Sequence, residues 1–336
     1  MSIFNLILGI TFTFVELNCE NLFDTQKDSI KDDQEYTAES VRRWTRTRYW
    51  NKLNNVAQEI ISCGDGEKEW KLPDMIALCE IENDSVMHDL TKRSLLRQAR
   101  YEYVVTDSPD LRGIDVALLY SPFSFRLINS YPLRVVPLKG MRPTRDILYA
   151  CGQLINGDTM HVFVVHAPSK YGGNLATRPF RMQVVNRLNQ SIDSIRAICP
   201  NPNIMIAGDF NDGADSPVME TLVNNKMRDV SSTAKGSHGA RGTYKYKGRW
   251  ESIDHILISE RLEETFQSCL IHDAPFLLEE DPQYGGMQPR RNYQGYQYHH
   301  GYSDHLPLVA RFVWRPKRDS LSGSGRDESP SHSPDV

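Results

Sequence analysis

Six apolar runs in this sequence begin or end in residues able to do acid–base or metal chemistry. VELN ends in Asn18, with Glu20 and Asn21 just beyond; IALCE ends in Glu80, and VVH in His166. MIAGDFND supplies Asp209 and Asn211, SIDHIL opens with Asp254, and GYSDHLPL sets Asp304 beside His305. Each has a plain structural explanation taken singly. A glutamate after a strand is ordinarily its first solvated residue, a lone histidine is more often a hydrogen-bonded partner than a catalyst, and Gly-Asp is common turn chemistry. Six coincidences of one kind are harder to dismiss. Ionisable groups at the mouth of a buried strand are costly unless paired or metal-bound. The ends of central strands also converge in space, so these groups can share one pocket.

The chemistry of such a set is that of carboxylates, amides and imidazoles. Oxygen-rich sites suit hard ions such as Mg²⁺ or Mn²⁺. The six cysteines show no CxxC pair, so a thiolate zinc site is not indicated. A serine hydrolase would need GxSxG between strand and helix, and neither that motif nor a phosphate-binding Walker loop is present.

Many strands and few helices must position these residues. Short runs rich in β-branched residues recur along the chain, among them FTFVELN, MIALCEI, GIDVALLY, HVFVVHA, NIMIAGDF, IDHILIS and LVARFVW. Several are apolar almost throughout, as in strands covered on both faces. Helical periodicity appears from Val41 to Ile61 and from about Pro179 to Ile198, with Pro179 suited to a first turn. A third, shorter helix is expected after Asp215 and Ser216. This mixture predicts an α+β architecture of two sheets packed face to face with helices outside. The segment from Glu279 to Gly301 reads as a long loop crowded with Tyr284, Tyr293, Tyr296 and Tyr298, plus Arg290 and Arg291. It is equally suited to gripping a substrate and to packing as a lid. The stretch after Val313 is rich in Ser, Pro, Gly and charge, and reads as a disordered tail over 314–336.

Composition is that of a globular protein, with 24% charged residues and a net charge of −4. The whole molecule is therefore no electrostatic trap for nucleic acid, although WTRTRYWNK after Arg42 and Arg43 is a candidate basic patch, or a solvated helix face. Ile3 to Val15 is apolar but too short to span a bilayer, and it lacks a basic flank and a small-residue cleavage site. Its second half reads as a strand. Location is left open between cytoplasm and export.

The ordered set ELNCENLFD, ALCEIEN, RGIDVALLY, VVHAPS, GDFND, SIDHIL and SDHLPL resembles the endonuclease/exonuclease/phosphatase superfamily, whose members include DNase I-like nucleases. The opening NCENLFD and the Tyr-rich segment look most like a bacterial subgroup of uncharacterised members. The resemblance covers about residues 11 to 313 and makes 1–313 one domain. It implies a DNase I-like four-layer α/β sandwich, two packed mixed β-sheets flanked by helices. It implies that Glu80 is the principal metal ligand, with Asn18 and Asp304 near the metal. It implies further that Asp209 activates water, Asn211 orients it or the phosphate, and His305, oriented by Asp254, contacts the scissile phosphate. His166 stands where many nucleases have a histidine and abasic-site enzymes a tyrosine, which tilts the reading away from a strict abasic-site endonuclease. Arg112 matches a less uniform basic position, and Arg291 and Tyr293 are candidate substrate contacts from the Tyr-rich segment.

The function expected is Mg²⁺- or Mn²⁺-dependent hydrolysis of phosphodiester bonds, with nucleic acid first among substrates. Small or lipid-linked phosphoesters are the alternative, which the acidic net charge favours slightly. A third reading, a binding module that has lost catalysis, conflicts with the retention of Glu80, Asp209, Asn211, Asp254 and His305 together. No stable protein partner is implied.

Overall fold

The computed structural model describes residues 9–64 and 70–314. The tail expected after 313 lies outside the described residues, except that the last strand runs one residue further, through buried Trp314.

Two six-stranded sheets form the body. Strands are numbered in chain order: β1 (Ile10–Leu22), β2 (Met75–Ile81), β3 (Glu102–Val105), β4 (Asp115–Tyr120), β5 (Phe125–Leu133) and β6 (Ile147–Leu154). They continue as β7 (Thr159–His166), β8 (Asn203–Asp209), β9 (Met227–Asp229), β10 (Tyr244–Tyr246), β11 (Arg249–Glu251) and β12 (Asp254–Ser259). The last are β13 (Phe266–Ile271), β14 (Leu278–Glu280), β15 (Met287–Pro289), β16 (Tyr293–Gln294), β17 (Gln297–Tyr298) and β18 (Leu308–Trp314). One sheet has the order β13-β18-β1-β2-β4-β3, the other β5-β6-β7-β8-β12-β9. Each is mixed: only β1–β2 in the first and β7–β8 in the second pair parallel. β10–β11, β14–β15 and β16–β17 are separate two-stranded ribbons, so the long Glu279–Gly301 loop contains short antiparallel pairs.

The side-chain period of two explains the packing. Phe12, Phe14, Met75 and Ala77 point inward to meet Val162, Val164, Met205 and Ala207 of the other sheet. Val15, Leu17, Ile76 and Leu78 point outward under helix α1 (Arg46–Ser62). The second sheet turns Phe163, Val165, Ile204 and Ile206 outward. They pack under α3 (Asn174–Ile198) and α4 (Pro217–Asn224). Two short helices, α2 (Asp84–His88) and α5 (Glu260–Glu263), complete the set. The result is the four-layer α+β sandwich.

Two helix starts differ from the sequence expectation. α1 begins at Arg46 rather than Val41, because the Thr45 hydroxyl accepts from the Arg48 N–H and caps it. Trp44 therefore precedes the helix, buried, with its indole N–H donating to the Phe23 carbonyl. α3 begins at Asn174, five residues before Pro179. Buried Arg181 ties down the extra turn by donating to Thr177 Oγ1, to the Asn174 carbonyl and to Asp212 Oδ2. The third helix starts after Ser216, whose hydroxyl accepts from the Met219 N–H.

Gly208 sets the approach of β7 to β8. Its φ is +145°, and a Cβ there would lie 1.8 Å from the Val165 carbonyl oxygen. Glycine permits this contact and no other residue does. Gly208→Ala is expected to destabilise the fold by about 3 kcal/mol or more, read as a fall in the urea midpoint. An unchanged midpoint would contradict the packing described.

Candidate active site

Register assembles the site from the second sheet. His166 pairs with Asp209 across β7–β8, and Asp209 pairs with Asp254 across β8–β12. Three polar residues thus stand in one row at the strand ends. The first sheet faces them with a matched pair of irregularities. β1 is bulged between Asn18 and Leu22, and β2 between Cys79 and Ile81. Glu20, Asn21 and Glu80 all have positive φ there. Bulges re-aim side chains beside functional sites, and this one turns Glu80 so that its Oε2 accepts from the Asn21 N–H at 2.8 Å.

The hydrogen bonds then link the row. His305 Nδ1 lies 2.8 Å from Asp254 Oδ2, which also accepts from the Thr243 hydroxyl. Asp209 Oδ2 accepts from the amides of Asn18 (3.1 Å) and Asn211 (3.2 Å). His166 Nε2 sits 3.6 Å from Asp209 Oδ2 and 3.9 Å from Glu80 Oε1, so it bridges the two sheets' carboxylates. Asp304 Oδ1 lies 4.0 Å from His305 Nε2. The Ser303 hydroxyl donates to the Asn18 carbonyl at 2.6 Å and accepts from the His305 N–H, which stitches the Asp-His couple to β1. Of these, Glu80, His166, Asp209, Asn211, Asp304 and His305 line one cleft of about 950 Å³, and Asn18 and Asp254 join them through the hydrogen bonds above.

Local geometry departs from the sequence expectation at Asn211. It does not continue an extended strand with Asp209. β8 ends at Asp209, Asn211 is left-handed (φ 51°), and its N–H donates to Asp209 Oδ1 at 2.7 Å. The short polar side chain makes the turn, which is where Asn tolerates positive φ.

The electrostatics are those of crowded, buried acids. Burial, then the neighbouring Asp254 charge, push Asp209 up to about 7. Burial alone would lower His305, but the charge and hydrogen bond of Asp254 outweigh it and hold the imidazole well above its ordinary value, hence protonated. His166 is driven the other way, first by burial and then by Arg145 and Arg112, and is a neutral ring. Among the described residues Glu80 Oε1 meets Arg112 at 3.5 Å and that neutral imidazole at 3.9 Å. An under-compensated carboxylate oxygen with further acids around it fits a hard divalent cation. The donor atoms of Asp209, Asp254 and His305 also lie within 4.8 Å of one another, close enough to hold a metal ion.

The structure brings together Asn18, Glu80, His166, Asp209, Asn211, Asp254, Asp304 and His305, and Arg112 enters the cleft beside Glu80. Arg291 is not among the lining residues, but it lies close to Tyr244 and Asp304, which are. Tyr293 does not line the cleft. It is buried against Trp44, with its hydroxyl donating to the Arg42 carbonyl, because Glu20 accepts from the N–H groups of Asn292 and Tyr293 and pins that segment to β1.

Sequence reasoning missed Tyr244 and Arg145. The Tyr244 ring lies 4.8 Å from that of His305, and an isolated β-bridge joins the two residues. Arg145 donates to the carbonyls of His166 and Ala167 and to Asp110, fixing the loop after β7. Arg145 sits in a Lys/Arg/Pro-rich run that reads as an ordinary loop, and Tyr244 in a short ribbon, so no periodicity signals either.

A family model described as the endonuclease/exonuclease/phosphatase family matches residues 13–313. The chain belongs to this family. Solved structures agree on the fold. The mannosyl-6-phosphatase of Bacteroides thetaiotaomicron is similar at 15% identity, with 90% of this chain and 100% of that one covered and a TM-score of 0.60. Truncated TDP2 of Caenorhabditis elegans is similar at 16% identity over 91% of this chain and 99% of that one, with a TM-score of 0.57. The human nocturnin catalytic domain with bound sulfate is similar at 15% over 90% and 94%, with a TM-score of 0.55. No curated protein matches the sequence. Family membership makes the chain a phosphoester hydrolase. No helix among the described residues is long and apolar enough to cross a membrane.

Proposed function

We propose that the chain is a divalent-metal-dependent phosphodiesterase. One observation carries this reading: the charged His305–Asp254 pair and the Asp209–Asn211 pair face Glu80 across His166 inside one cleft. Nucleic acid is the first substrate class, and small or lipid-linked phosphoesters the second.

Mg²⁺ or Mn²⁺ held by Glu80, with Asn18 and Asp304 beside it, would neutralise charge on the non-bridging phosphate oxygens. We assign the cation to Glu80 rather than to Asp209, Asp254 and His305, because the last two are already hydrogen-bonded to each other. His305 keeps Nε2–H toward the cleft and donates to a phosphate oxygen, while Asp254 holds its ring and charge. Asp209 accepts the proton of the attacking water, and the Asn211 and Asn18 amides hold that carboxylate in place. Neutral His166 donates from Nε2 to an oxygen of the reacting group.

The test is chelation. EDTA is expected to lower nitrophenolate release from bis(4-nitrophenyl) phosphate by about 10²-fold or more, with added Mg²⁺ or Mn²⁺ restoring it. Release that is indifferent to chelator, or absent for this ester and for DNA, RNA and phospholipid headgroups alike, would overturn the reading.

A further inference from the structure

Asp304 and His305 stand in the loop before β18 rather than in a strand, so their place depends on what holds that loop. Ser303 holds it to β1 through the Asn18 carbonyl, and the Leu306 N–H donates to the Thr243 carbonyl at 2.8 Å. A third hold comes from helix α1. Lys52, Asn55 and Gln58 follow at three-residue steps and share one face of that helix. The Asn55 amide donates to the Gly301 carbonyl at 2.7 Å, and Lys52 Nζ donates to the Tyr302 carbonyl. Gln58 Oε1 accepts from the Tyr302 hydroxyl at 3.0 Å. The Tyr302 N–H in turn donates to the Arg290 carbonyl at 2.7 Å. The backbone entering the Asp-His couple is thus fixed residue by residue.

Lys52 is the costly member of this face. Its side chain is fully buried, among the buried apolar residues Tyr49, Leu53, Val56 and Ile60 of the same helix. Taking an ammonium out of water is expensive unless close partners replace the water. The carboxylates around Lys52 do so incompletely: Glu20 Oε2 is 3.9 Å away, and buried Glu59 makes no hydrogen bond. The hydrogen bond Lys52 does make is to the Tyr302 carbonyl. Methionine or leucine would pack this position at less cost. A buried charge is best accounted for where it specifies one geometry, and the geometry here is that of the loop carrying Asp304 and His305. Neither Lys52 nor Asn55 lines the cleft, so both act at one remove from a substrate.

We propose that Lys52 and Asn55 are positioning residues for His305: through the Tyr302 and Gly301 carbonyls they set the loop so that the ring meets Asp254 and keeps Nε2 toward the cleft. Its catalytic consequence rests on the phosphodiesterase reading. The test uses Lys52→Met and Asn55→Ala in the full chain, each alone and combined with His305→Ala, on bis(4-nitrophenyl) phosphate with Mg²⁺. Each single variant is expected to lower kcat about tenfold with KM unchanged, and to lower it no further once His305 is already alanine, because residues acting through one group are not additive. A loss that multiplies with that of His305→Ala, or an unchanged kcat in both variants, sinks the proposal. NMR of ¹⁵N-histidine-labelled chain gives a readout independent of activity. The His305 imidazole resonances are expected to shift in both variants, while those of His161, hydrogen-bonded to Tyr149 in the second sheet, stay in place. Unmoved His305 resonances also overturn it. Alanine favours the helix, so Asn55→Ala carries the test if circular dichroism shows Lys52→Met unfolded. A wild type that hydrolyses no ester with metal removes the phosphodiesterase reading, and the spectra still decide the positioning.

Discussion

Asp254→Asn is expected to lower kcat at neutral pH by about 10³-fold, with the fold retained. The argument runs through His305. Its ring is buried, which disfavours charge, and the Asp254 carboxylate 2.8 Å away outweighs that burial. Asparagine keeps the shape and removes the compensating charge. The imidazole then drops toward or below its ordinary value of about 6.5 and is neutral at neutral pH. The sign of the pH dependence follows. In the wild type the raised group stays protonated through neutrality, so its contribution is lost only as pH rises through that raised value. In Asp254→Asn the ring recharges only as pH falls below about 6.5, where buried Asp209, held at about 7, is also taking up a proton, so the readout is an NMR titration of the His305 imidazole rather than the rate. A His305 ring that stays protonated through neutrality in the variant would show that Asp254 does not set its charge. His305→Ala should lose a similar factor at every pH.

Glu80→Gln is expected to cost about 10²–10³ in kcat/KM at limiting Mg²⁺, with part recovered at saturating metal. The amide keeps one oxygen and loses the charge. Glu80 Oε2 already accepts from the Asn21 N–H, so the backbone bulge can persist in the variant with the amide oxygen in that place. Isothermal titration of Mg²⁺ and a circular dichroism spectrum separate weak metal binding from misfolding. Near wild-type kcat/KM and Mg²⁺ affinity would exclude Glu80 as the ligand.

Much of this centre was legible in the linear chain. Most of its residues sit at strand ends, where an apolar run stops abruptly at a polar side chain. Glu80, His166 and Asp209 stand at the ends of β2, β7 and β8 and Asp254 opens β12, whereas Asn18 lies inside β1 and the Asp304–His305 couple in the loop before β18. Tyr293 misled because an aromatic in a polar loop looks available, and only the Glu20 anchor 273 residues away in sequence shows that it is buried. Arg291, although close to Tyr244 and Asp304, is not itself among the lining residues.

The sequence alone determined the strand-rich sandwich, the ordered polar termini and the oxygen-donor chemistry, because local periodicity and residue type carry that information. The tertiary structure decided which oxygen faces which nitrogen. Paired bulges in β1 and β2 turn Glu80 toward His166, and the register of β7, β8 and β12 aligns His166, Asp209 and Asp254. It also decided that the cleft's arginines and lysine are mostly spent on neighbouring acids. Those pairings join residues far apart in the chain, and no local pattern encodes which partner a charge will meet after folding.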